Sequence, residues 1–177
     1  MHRLFVAIRP PDPVRDFLTG LMGGVAGARW LDDDQLHLTL RFIGEVDRHV
    51  ADDVHAALGS IHQRPFELAI AGVGMFDRRG IPHALWAGVK PPEPVHALHG
   101  KVDQALVRTG LAPERRAYHP HITLARFGRG VVNLHDFLAA NGGAAGEPFT
   151  VSSFGLYESV LTPDGAVYSQ VERYPLT

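Results

Sequence analysis

Two short stretches, QLHLTLRF (35–42) and HPHITLARF (119–127), set the same residue types in the same order: His, apolar, Thr, Leu, then an Arg and a Phe close behind. In an extended strand residues i and i+2 share a face. His37 and Thr39 therefore lie on one face while Leu36, Leu38 and Leu40 take the other, and His121 and Thr123 oppose Ile122 and Leu124 in the same way. The apolar sets belong in a core, which leaves two imidazole–hydroxyl pairs on surfaces that a twofold repeat would turn toward each other. An imidazole of ordinary pKa, about 6.5, can take or give a proton near neutral pH. Two of them facing across a groove suit a reaction that needs one neutral and one protonated. Each threonine hydroxyl can donate to a nonbridging oxygen held between the rings. That matches a phosphodiester better than a carbonyl, which offers a single oxygen.

The composition removes several other chemistries. With no cysteine there is no disulfide, no thiolate metal site and no thiol nucleophile, and no G-x-S-x-G segment supplies a serine one. Direct attack by water or by an intramolecular hydroxyl is the simpler route. His119 and His121 alternate as zinc ligands can, but the next alternating position is Thr123 and no nearby carboxylate completes a set, so no metal is expected. The balance of 17 basic against 19 acidic residues is no nucleic-acid coat, and contact with phosphate must be local. The apolar run before Pro10 is too short for a signal sequence, and no window approaches the roughly 20 apolar residues of a membrane span. A cytoplasmic protein is the default expectation.

The elements that must position these residues are readable in outline. RLFVAIR (3–9) is a buried strand, and PPDPVRDFLTGLMGGV a helix with prolines at its start and glycines at its stop. ARWL and QLHLTLRFIG are strands, and DRHVADDVHAALGSIH places Val50, Val54, Ala57, Leu58 and Ile61 on one helical face. PFELAIAGVGMF and HALWAGV form a hairpin around DRRGIP. The second half repeats the order. The helix PEPVHALHGKVDQALVRTG precedes the strand YHPHITLARF, and the helix NLHDFLAANGG precedes the strands FTVSSFGLYESVLT and AVYSQVERYPL, joined by the turn PDG. With 177 residues and no long linker, the simplest architecture is one domain, residues 1–177, made of a duplicated α/β unit whose two lobes are related by a pseudo-twofold axis.

The two His-x-Thr phrases, the opening RLFVAIRPP, the block RWLDDDQLHLTLRFIGEV, the strand LWAGV and the closing LYESVLTPDGAVYSQVERYPL resemble the 2H phosphoesterases. Within them the resemblance is to the bacterial and archaeal RNA 2′,3′-cyclic phosphodiesterases, also called 2′-5′ RNA ligase-like proteins. It covers nearly the whole chain. It implies a bilobal α/β (α+β) fold with two antiparallel sheets around a central cleft and helices outside. It also implies hydrolysis of an RNA 2′,3′-cyclic phosphate end to a 2′-phosphomonoester with no metal or other cofactor. By position His37 resembles the proton donor to the leaving 3′ oxygen, His121 the proton acceptor that activates water, and Thr39 and Thr123 the phosphate-binding pair. The repeat by itself does not say which histidine is acid and which is base.

Strand alternation puts Arg41 on the face of His37 and Thr39, and Arg126 on the opposite face unless the strand ends or bends. The resemblance favours Arg126 as a substrate contact, with Arg41 behind it. Arg115 and Arg116 read as an exposed loop. Trp30, Phe42, Phe76, Trp86 and Phe127 could stack on a base, although alternation sends Phe42 and Phe127 to the apolar face. Three readings stay open: the RNA cyclic phosphodiesterase, acting on RNA ends such as tRNA fragments or on nucleotides, with 2′-5′ ligation as a companion activity; an enzyme for another cyclic phosphate, such as ADP-ribose 1″,2″-cyclic phosphate; and an RNA-end-binding module whose histidines only hold phosphate. A monomer suffices for each, since both halves of the site lie in one chain.

Overall fold

The computed structural model describes residues 1–130 and 132–177. Strand β1 (His2–Ile8) is followed by helix α1 (Asp12–Leu21), which carries Pro13 in its first turn, where its missing N–H breaks no bond. After the short β2 (Ala28–Trp30), a single 3₁₀ turn over Asp33–Gln35 leads into β3 (Leu38–Val46). Helix α2 (Arg48–Leu58) begins where the Asp47 carboxylate accepts the Val50 N–H at 2.9 Å. The hairpin β4 (Phe66–Arg78) and β5 (Ile81–Lys90) turns at Arg79–Gly80, both with positive φ. Helix α3 (Glu93–Arg108), strand β6 (His121–Phe127), helix α4 (His135–Asn141), the three-residue β7 (Phe149–Val151) and the hairpin β8 (Ser153–Thr162) and β9 (Gly165–Pro175) complete the order.

The main path of the sheet runs β7-β4-β5-β6-β3-β1-β8-β9, with β2 pairing the remaining length of β6, and every pairing is antiparallel. Two differences from the sequence outline matter for the site. The segment FTVSSFGLYESVLT divides at Ser152, so that β7 pairs with β4 while β8 pairs with β1. Each motif strand also takes its hairpin from the other half of the chain: β4–β5 lies beside β6, and β8–β9 lies beyond β1 and β3. The two halves of the sheet meet at one pair of residues, Leu38 opposite Ile122.

That seam is anchored from below. Leu38, Leu40, Ile122 and Leu124 are buried in the same apolar cluster as Val54 and Leu58 of α2 and Val95, Leu98, Val102 and Leu106 of α3. Fully burying a Leu or Ile contributes roughly 1.5–3 kcal/mol. The apolar face of each motif strand is therefore held firmly, and its polar face has to point into the groove.

Candidate active site

Because Leu38 faces Ile122 in an antiparallel register, one step either way brings His37 opposite Thr123 and Thr39 opposite His121. Directly opposed side chains stand ~5 Å apart at Cβ and diagonal ones ~7–8 Å. The imidazoles thus take one diagonal of a small rectangle and the hydroxyls the other. The two motifs build one site because their strands pair at the residue between His and Thr in each copy.

The surroundings of the two histidines differ. His37 arrives on the 3₁₀ turn, which Arg9 fastens by donating to the carbonyls of Asp33 at 2.7 Å and Leu36 at 3.0 Å, while Arg15 donates to the Asp33 carboxylate at 3.0 Å. Its ring is 7% exposed and meets Phe5, Tyr157 and Tyr168 edge to face, with centroids 5.9, 4.7 and 5.6 Å away. Among the described residues neither ring nitrogen has a partner that meets hydrogen-bond geometry, although the nearby Gln35 backbone favours the charged ring. Burial in this aromatic cage, with the nearby Arg9 charge, lowers its pKa to about 4.

His121 is held instead by a hydrogen bond. Its Nδ1 lies 2.7 Å from the His119 carbonyl, which can only accept, so the neutral ring carries its proton on Nδ1 and leaves Nε2 as the free base. Phe76 meets this ring edge to face at 4.8 Å, and Trp86 packs against His119 at 4.7 Å. Trp86 can lie across β4 because residue 74 is glycine; a Cβ there would sit 2.3 Å from the indole. Burial pushes His121 below the ordinary imidazole value, and Arg126 adds to this.

Beyond the threonines the strands depart from simple alternation. The β1–β3 register skips Leu40, pairing Ala7 with Thr39 and Val6 with Arg41; the β5–β6 register skips Leu124, pairing Trp86 with Thr123 and Leu85 with Ala125. Each skip is a β-bulge, in which two successive residues turn inward. Leu40 and Arg41 are both buried, as are Leu124 and Ala125, and the next residue of each strand, Phe42 or Arg126, returns to the cleft. The alternation expected for Arg41, Arg126 and Phe42 is therefore corrected. Arg41, 9% exposed, donates to Asp103 at 2.9 Å and to the carbonyls of Phe42 and Ala112. Its guanidinium is committed to α3 and the loop behind it. Arg126 is exposed and lines the cleft with His37 and both threonines.

Two residues that the motif reading passed over brace the first bulge. The Tyr118 hydroxyl donates to the Thr39 carbonyl at 2.8 Å, and His99 Nδ1 donates to the Leu40 carbonyl at 2.7 Å, with the two rings stacked 3.9 Å apart. Tyr118 sits three residues before His121. Its position beside the second motif was the available signal; its target in the first motif was not written locally.

The cleft has two adjoining lobes of about 400 and 500 Å³ that share Thr39 and Phe42. The first holds His37, Thr123 and Arg126, the second His121. Trp30 packs on Phe137 and Phe127 is half-buried against the core. Among the described residues no three His, Asp or Glu side chains converge as metal ligands, and no helix is long and apolar enough to cross a membrane.

This sheet and this pair of histidines place the chain among the two-histidine phosphoesterases. The sequence model of the 2′-5′ RNA ligase superfamily matches residues 10–161, and the chain belongs to that superfamily. An RNA 2′,3′-cyclic phosphodiesterase of Aeropyrum pernix is 35% identical over 141 residues, covering 78% of this chain and 80% of that one. One of Archaeoglobus fulgidus is 28% identical over 175 residues, covering 97% and 99%. The crystal structure of Escherichia coli LigT complexed with 3′-AMP superposes with a TM-score of 0.83 at 28% identity, covering 99% and 98%.

Proposed function

We propose that the protein hydrolyses RNA 2′,3′-cyclic phosphate ends to 2′-phosphomonoesters by acid–base catalysis between His37 and His121, without a metal. The observation that carries this is the crossing at Leu38 and Ile122, which gives one phosphate two imidazoles on one diagonal and two hydroxyls on the other. Water attacks phosphorus from the His121 side and gives its proton to Nε2, the nitrogen left free by the His119 carbonyl. The P–O3′ bond breaks, and His37 gives its proton to O3′. The product carries a 2′-phosphate and a 3′-hydroxyl, and the histidines exchange their protons with solvent before the next turnover. Thr39 and Thr123 donate to the nonbridging oxygens, and Arg126 supplies positive charge at the rim.

The resting His37 is neutral at pH 7, because burial disfavours its charged form. A phosphate anion beside the ring reverses that balance, so substrate binding itself loads the acid with its proton. The same steps with an RNA 5′-hydroxyl in place of water would form a 2′-5′ linkage. Residues 1–177 would act as one unit of two lobes and as a cytoplasmic monomer, one complete site per chain. Incubation with an RNA bearing a 2′,3′-cyclic end tests the reading. A 2′-phosphate product, undiminished by chelator, is expected. A 3′-phosphate, a requirement for metal, or binding without turnover would overturn it, and preference for ADP-ribose 1″,2″-cyclic phosphate would reassign the substrate.

A further inference from the structure

Strand β2 is only three residues long, yet it sets two arginines against each other. Its register with β6 puts Arg29 directly opposite Arg126, so the two side chains leave the same face of the sheet with Cβ atoms ~5 Å apart. Like charges placed in this way destabilise a strand pair. Arginines that serve the fold are neutralised here: Arg9 and Arg15 by Asp33, and Arg41 by Asp103. Arg29 and Arg126 are both exposed, and among the described residues no carboxylate comes within ion-pair distance of either. They line a cavity of about 300 Å³ that adjoins the first lobe of the cleft and shares Gln35, Arg126, Ala166 and Tyr168 with it. Asp32 and Asp164 line the same cavity without pairing to the arginines. The passage between cavity and cleft is fixed, since Gln35 Nε2 donates to the Ala166 carbonyl at 3.0 Å and ties the turn before His37 to β9. The bulge at Leu124 makes Thr123 and Arg126 successive positions on the cleft face of β6, ~7 Å apart as same-face neighbours are. Neighbouring phosphates of a nucleic-acid strand are about as far apart.

Resting on the reading of the cleft as a cyclic-phosphate site, we propose that Arg29 and Arg126 clamp the phosphodiester on the 5′ side of the terminal nucleotide, so that the enzyme selects a polynucleotide end over a mononucleoside cyclic phosphate. With His37 at the leaving 3′ oxygen, the terminal nucleoside occupies the first lobe and its 5′ oxygen leads toward the adjoining cavity. A guanidinium meets a phosphate through two parallel N–H donors. Two guanidiniums across one phosphate turn a repulsion in the empty protein into an attraction in the complex. The histidines and threonines act on the terminal phosphate, and Arg29 reads the charge of the next one.

The test is steady-state kinetics of the unaltered chain and of Arg29→Ala on three substrates with the same terminal nucleotide. These are a dinucleotide ending in a 2′,3′-cyclic phosphate, the same dinucleotide with an uncharged methylphosphonate as its internal linkage, and the mononucleoside 2′,3′-cyclic phosphate. The unaltered chain should favour the charged dinucleotide over each of the others by about tenfold in kcat/KM, the scale of a hydrogen bond to a charged group. Arg29→Ala should lose most of that advantage, mainly through KM, with a much smaller loss on the other two substrates. Equal turnover of the charged and uncharged dinucleotides by the unaltered chain, or an equal loss on all three substrates in Arg29→Ala, would overturn the proposal. Failure of the underlying reading is distinguishable, since the unaltered chain would then turn over none of the three.

Discussion

The first and second His-x-Thr strands are near copies in sequence and differ in how they hold the imidazole. His121 is fixed through Nδ1 by the His119 carbonyl, which leaves a defined lone pair on Nε2. His37 has no such bond and is instead surrounded by three aromatic edges, with its charged form disfavoured by burial. A duplicated phrase has thus been given two environments. One fixes a tautomer that leaves Nε2 unprotonated; the other disfavours charge on the ring. The division of labour proposed for the site, which rests on the family resemblance, assigns the bonded ring as base and the caged ring as acid.

The largest effect that would sharpen the comparison is removal of either ring. His37→Ala and His121→Ala should each lower kcat on a cyclic-phosphate RNA end by about 10²–10⁴-fold while circular dichroism shows an intact fold. Full activity in either variant would remove that histidine from the mechanism. The next is pH. On the proposed roles the active free enzyme needs His37 protonated and His121 neutral, and burial lowers both from the ordinary imidazole value. The bell in kcat/KM is centred on their mean, so its optimum should fall below pH 6.5. In the substrate complex the phosphate charge raises His37 again, and the optimum in kcat should lie at higher pH. A kcat/KM optimum above pH 7 would contradict the buried, uncharged His37.

Smaller effects separate the supporting residues. Thr39→Ala and Thr123→Ala should each raise the barrier by about 1–3 kcal/mol, the scale of a hydrogen bond to a charged group, read as kcat/KM. Tyr118→Phe deletes the hydroxyl that holds the Thr39 carbonyl and should lower kcat by roughly fivefold, equivalent to about 1 kcal/mol. Among the described residues no side-chain hydroxyl braces the Thr123 carbonyl in this way, and a larger effect of Tyr118→Phe than of Thr39→Ala would show that the brace serves more than the first threonine.

Much of this was legible in the chain because the relevant signals are local and periodic. The alternation around His37 and His121 needs only the strand period, and the repeat of that pattern in both halves points to a paired site. What alternation missed begins one residue past each threonine. Arg41, Phe42 and Arg126 change faces because β3 and β6 each slip by one residue against a neighbour, and that slip belongs to the pairing rather than to either strand. One trace was present: Leu124 and Ala125 are consecutive apolar residues, which a strictly alternating strand would not place together. The exchange of hairpins between halves left no comparable trace, since it depends on contacts between residues far apart in the chain, from Gly88 with His121 on one side to Phe5 with Tyr157 on the other. Tyr118 was unreadable for the same reason, its partner Thr39 lying 79 residues away.

The unequal roles of the two histidines can be separated by changing the leaving group. A dinucleotide ending in a 2′,3′-cyclic phosphate with sulfur in place of O3′ departs as a thiolate and needs no proton. On this substrate His37→Ala should recover most of the activity it loses on the oxygen substrate, and His121→Ala should recover none. Recovery by His121→Ala, or equal deficits for both variants on both substrates, would contradict the assignment of His37 as the acid and His121 as the base.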